Sequence, residues 1–152
     1  MSAHVVEAVG VYAADGGVVG ELTYVVGHLL GRTECSLCDV THGPVRRKRA
    51  WDEMAAVLPV HVRLVHRNET TPDEAAACAV SGLPVVLGVR ADGSHTTLLG
   101  PRELKALDGS VDAFGTAMRA ALARVETSWA TRGRTRPGRG RSPWGTTRAR
   151  PG

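Results

Sequence analysis

The chain has 152 residues, 43% of them hydrophobic but only 4% aromatic, enough for one domain whose core must come from valine, leucine and alanine. Its net charge of +4 conceals a split, because Arg132, Arg134, Arg136, Arg139, Arg141, Arg148 and Arg150 follow Ala130 without an acid, while residues 1–129 carry 12 basic against 15 acidic side chains, a balance of −3. The basic character therefore belongs to the tail, and the rest of the chain is not built as a nucleic-acid-binding face.

Residues 4–13 are β-rich and run into the turn signal Asp15-Gly16-Gly17. Leu22, Val25, Val26, Leu29 and Leu30 then recur at helical spacing, which predicts an amphipathic helix over 20–31 with Gly31 at its end. A loop over 32–44 carries Cys35-Ser36-Leu37-Cys38-Asp39-Val40-Thr41-His42 and closes on Gly43-Pro44. Pro44 suits the first turn of a helix over 44–58, where Trp51, Met54, Ala55 and Leu58 form a buried face and Arg46, Arg47, Lys48 and Arg49 crowd the start. A strand follows over 60–66, with Val60, Val62 and Leu64 alternating with polar residues.

Thr71 caps a helix over 72–80, with acids in its first turn and Gly82-Leu83-Pro84 as its stop. Val85 to Val89 and Thr96 to Leu99 are strands joined at Asp92-Gly93, and 101–107 is a short helix. Ser110 caps a last helix over 110–129, striped by Val111, Phe114, Met118, Leu122, Val125 and Trp129. From 130 to 152 arginine, glycine, proline, serine and threonine dominate, which predicts a disordered tail.

No apolar run approaches the roughly 20 residues needed to span a bilayer, and no leader-like segment opens the chain. A cytoplasmic protein without membrane contact is expected. In a reducing compartment, two cysteines separated by two residues point to redox chemistry or metal ligation more than to a structural staple. Both uses need a thiolate, and N–H groups at the start of a helix would favour one. His42 stands one helical turn after Cys38 and His28 lies seven residues before Cys35. Cys35, Cys38 and His42 therefore form an alternative zinc-type ligand set, with His28, Asp39 or an external group as the fourth donor. If Arg46 to Arg49 border the cysteines, their charge would further favour the thiolate. Cys78, on an alanine-rich helix, reads as a small buried hydrophobe.

In element order the chain resembles the thioredoxin-like superfamily over residues 4 to about 129: an early strand, a CxxC, a helix at 44–58, a strand at 60–66, a helix at 72–80, a hairpin at 85–99 and a terminal helix. The helix at 20–31 is an insertion before the CxxC. Leu83-Pro84-Val85-Val86-Leu87 stands where such proteins carry a cis-proline against the active-site cysteines. The resemblance implies a three-layer α/β fold around a central mixed sheet over 1–129, with the tail at 130–152 outside it. It further implies a thiol–disulfide oxidoreductase or redox sensor without a cofactor. Cys35 would be the exposed nucleophile, Cys38 the resolving thiol, Pro84 the residue shaping the substrate groove, and a protein disulfide or small thiol the reaction partner. A third reading is a non-catalytic interaction domain whose arginine-rich tail contacts a polyanion weakly.

Overall fold

In a computed structural model, residues 4–14, 35–41 and 49–132 are described. The expected helix at 20–31, His28, His42, Pro44 and Arg46 to Lys48 lie outside the described residues, as does the side chain of Trp129. Of the tail expected as disordered from 130, residues 130–132 instead continue the last helix, which ends at Arg132, and the rest, from 133, lies outside the described residues. The elements in order are β1 (Val5–Tyr12), α1 (Ser36–Thr41), α2 (Arg49–Ala56), β2 (His61–His66), α3 (Pro72–Ser81), β3 (Val85–Arg90), β4 (His95–Leu99), α4 (Pro101–Ala106) and α5 (Val111–Arg132). A single turn of 3₁₀ helix, Arg67–Glu69, links β2 to α3.

The strands form one mixed sheet in the order β2-β1-β3-β4. β1 pairs parallel with β2 and antiparallel with β3, and β3 with β4 is an antiparallel hairpin. The two parallel strands require a crossover, and the long segment between Tyr12 and His61 supplies it. The hairpin turns at Gly93, whose φ of +82° suits glycine.

Side chains alternate across β1, which divides the core in two. Ala8 and Tyr12 join α1, α2, α4 and α5 in a large cluster centred on Leu37, Trp51, Leu104, Phe114 and Met118. Val9 and Val11 join Val85, Leu87 and Cys78 of α3 on the other face. Val5 falls into the first cluster despite its position three residues before Ala8, because the β1–β3 register shifts between Val5 and Glu7. Helices thus cover both faces of the sheet.

Local chemistry places the helices much as their residues suggest. Thr71 Oγ1 accepts the Glu74 N–H while Glu74 returns a bond to the Thr71 N–H, a reciprocal cap worth about 1 kcal/mol. Glu74 is also only 3% exposed and ion-paired to Arg63 of β2. Burial pushes its carboxyl up, but the Thr71 N–H and the Arg63 guanidinium together outweigh that and hold it below the usual range. Ser110 Oγ accepts the Ala113 N–H at 3.2 Å at the start of α5. Along α5, Val111, Phe114, Met118 and Leu122 are buried and Val125 packs at the margin, as their spacing predicts. No helix among the described residues is long and apolar enough to cross a membrane.

Candidate dithiol site

The cysteines sit where β1 ends. Cys35 occupies the cap position of α1, with its carbonyl accepting the Asp39 N–H at 3.0 Å, and Cys38 lies in the helix one turn on. The stretch expected as loop is thus helical from Ser36 to Thr41. Six residues are too few for a helix to hold itself, and packing explains its presence: Leu37 and Val40 are fully buried. Gly10 of β1 makes room for it. A Cβ there would lie 3.2 Å from Leu37 Cδ2 and 2.8 Å from Leu64 Cδ2, so the missing side chain lets α1 settle directly on the sheet. On the far side of the helix, Gly109 (φ +70°) brings the loop before α5 against the Asp39 backbone, where a Cβ would stand 3.3 Å from the Asp39 carbonyl oxygen.

All three cysteines of the chain are thiols, with no disulfide among them. The Cys38 thiol donates to the Cys35 sulfur, and this is the largest influence on the Cys35 proton. Burial opposes it, favouring the neutral thiol. The backbone N–H groups of Ala13, Cys38 and Leu37 also point at the Cys35 sulfur, and the sum lowers the Cys35 pKa from an ordinary 9.0 to about 7. Hydrogen bonds from the end of β1 and the first turn of α1 thus favour the thiolate among the described residues, and Arg46 to Lys48 of the cationic patch lie outside them. Of that patch, Arg49 is described, and it pairs instead with Glu53 at 2.8 Å on the surface of α2.

The structure corrects the expected exposure of Cys35. It is only 1% exposed, less than Cys38 at 7%, because it belongs to the main core cluster together with Leu37 and Val40. The Tyr12 hydroxyl meets Thr41 Oγ1 at 3.0 Å, and Thr41 Oγ1 donates a longer bond, 3.4 Å, to the Cys38 carbonyl. Both side chains are buried. The Tyr12 ring lies against His66, its register partner on β2, at 5.2 Å between centroids.

Pro84 follows a cis peptide bond from Leu83. It immediately precedes β3, and the Val11–Val85 pairing carries it to the level of Tyr12, at the same end of the sheet as the cysteines. Cys78 belongs to the opposite face, 8% exposed beside a cleft of about 220 Å³ lined by Val11, Arg67, Thr70 and Leu83 among others. Burial, and then the Glu74 charge, push its thiol up, as suits an inert core residue. His42, the third ligand of the zinc alternative, is outside the described residues, and among those described no three His, Cys, Asp or Glu side chains gather around a common point.

Reading the residues in order identified the sulfur pair but not Ala13, Tyr12 or Thr41. Only the strand alternation that sets Tyr12 on the face of Ala8 and Gly10 hinted at its place. Compared with known protein families, curated proteins and solved structures, the chain matches none.

Proposed function

We propose that the chain is a thiol–disulfide redox protein, an oxidoreductase or redox sensor, on a thioredoxin-like three-layer scaffold, with Cys35 and Cys38 as its working pair. The observation that carries this reading is the Cys35 sulfur, which gathers the Cys38 thiol and three N–H groups and has its pKa lowered to about 7 despite its burial. A thiolate populated near neutral pH is what disulfide exchange needs. The mixed sheet with helices on both faces, the element order, and a proline at the cysteine end of the sheet agree with the scaffold.

In the oxidising direction, the Cys35 thiolate attacks one sulfur of a disulfide RS–SR, whose S–S bond breaks to release RS⁻. That thiolate takes up a proton from water, leaving a mixed disulfide Cys35–SR. The Cys38 thiol then loses its proton to the medium and attacks the Cys35 sulfur, expelling the second RS⁻. The pair ends as a Cys35–Cys38 disulfide, having passed two electrons to the two departing thiols. With both sulfurs nearly covered, a low-molecular disulfide suits the site better than the disulfide of a folded protein.

Exposure to glutathione disulfide tests the reading. Wild type should lose two hydrogens in intact mass and regain them with reduced glutathione. Cys38→Ser should trap a glutathione adduct at Cys35, while Cys35→Ser should leave Cys38 largely unmodified. A wild-type pair that stays reduced, or equal adduct formation in both variants, would sink the proposal. Stoichiometric zinc in protein purified without chelator would put the ligand role of Cys35, Cys38 and His42 in its place.

A further inference from the structure

We infer that Tyr12 and Thr41 are positioning residues for the dithiol, a buried hydroxyl pair that clamps the last turn of α1 to β1 and so keeps Cys38 facing Cys35. The inference rests on the redox reading of the pair and concerns how its geometry is held.

Two facts carry it. Thr41 Oγ1 lies 3.0 Å from the Tyr12 hydroxyl, within hydrogen-bond distance, and donates to the Cys38 carbonyl at 3.4 Å. The series Tyr12 to Thr41 to the Cys38 backbone therefore joins the end of the central strand to the residue that bears the second sulfur. The place is also costly for polar groups, since Thr41 is fully covered and Tyr12 nearly so. A valine and a phenylalanine would fill the same space without needing partners, which makes the two hydroxyls a specific tie and not a packing choice.

A six-residue helix has little rigidity of its own. The turn holding Cys38 is supported from below by Gly10 and Leu37, and from the side by this tie. Without the tie, Cys38 samples more orientations, and closing the Cys35–Cys38 bond must first restrict them. The clamp thus raises the effective concentration of one sulfur at the other.

The reaction that reads this is the exchange of the two thiols with one glutathione disulfide, giving the Cys35–Cys38 disulfide and two reduced glutathione molecules. Its equilibrium constant is to be measured in full-length protein carrying Cys78→Ala, across defined glutathione ratios. Tyr12→Phe and Thr41→Val should each lower the constant by about fivefold, the scale of one net hydrogen bond. Thr41→Ser, which keeps the hydroxyl, should return it to the parent value. Ser81→Ala is the matched control, since it removes a hydroxyl pair with Thr97 (2.6 Å) on the surface near the sheet's other edge and should leave the constant alone. An unchanged constant in Tyr12→Phe and Thr41→Val, even with lowered thermal stability, overturns the inference, as does Thr41→Ser behaving like Thr41→Val. The redox proposal is judged separately, on the Cys38→Ser adduct, whereas the clamp is judged on differences from the parent in an equilibrium that any adjacent thiol pair can show.

Discussion

Taking away the Cys38 thiol removes the largest donor to the Cys35 sulfur and leaves the three backbone N–H groups and the burial. The Cys35 thiolate, followed by its ultraviolet absorbance in a Cys78→Ala background, should therefore titrate near 7 in the parent and clearly higher in Cys38→Ala. A midpoint that does not move would show that the backbone alone sets the proton. The same depression has a consequence for stability. A thiol whose folded pKa lies below its unfolded value stabilises the fold fully above the unfolded value, about 8.5 to 9, and loses that contribution as pH falls through about 7. Wild type should accordingly gain on Cys35→Ser in urea denaturation as the pH rises through that window. At this scale the spacing of the two sulfurs was readable along the chain. Their donors were not, because Ala13 comes from another element and nothing in its side chain announces an N–H aimed at a sulfur.

Among the elements, α1 is the one whose existence depends most on its neighbours. Gly10→Ala would place a methyl group against Leu64 and Leu37. The Leu37 side chain is fully buried and has little room to yield, so overpacking outweighs the modest gain of alanine over glycine in a strand. A net loss of about 1 kcal/mol is expected from urea unfolding, with part of it recovered when Leu64→Val is added, because the two sites share one contact. Gly10→Ala at parental stability would mean that α1 is not seated on the strand as described. The strands, the capped helix α3 and the striped helix α5 were legible beforehand, since period, cap and turn residues are written locally in Thr71, Asp92-Gly93 and Ser110. The helix at 36–41 was not, because its six residues lack a full amphipathic repeat and owe their conformation to Gly10 beneath and Gly109 beside them.

At the scale of the molecule, among the described residues, one sheet separates a large core from a small one, and the cysteine pair and Cys78 lie on opposite sides of it. The large core is tied across its helices by Trp51 and Phe114, edge to face at 4.8 Å. Phe114→Ala should cost about 3–5 kcal/mol in chemical denaturation, and Phe114→Leu less than about 1.5 kcal/mol. Similar losses for both would imply a core that tolerates the cavity, contrary to the complete burial of that side chain. Length, hydrophobic period and turn chemistry were sufficient to establish a mixed α/β chain and to single out two cysteines, because each of those signals is contained within a few neighbouring residues. The covering of Cys35, the proton it loses readily and the hydroxyl tie behind Cys38 came only with the tertiary structure. Those properties arise where the end of β1 meets α1, and contacts between distant segments leave no periodic trace in the order of residues.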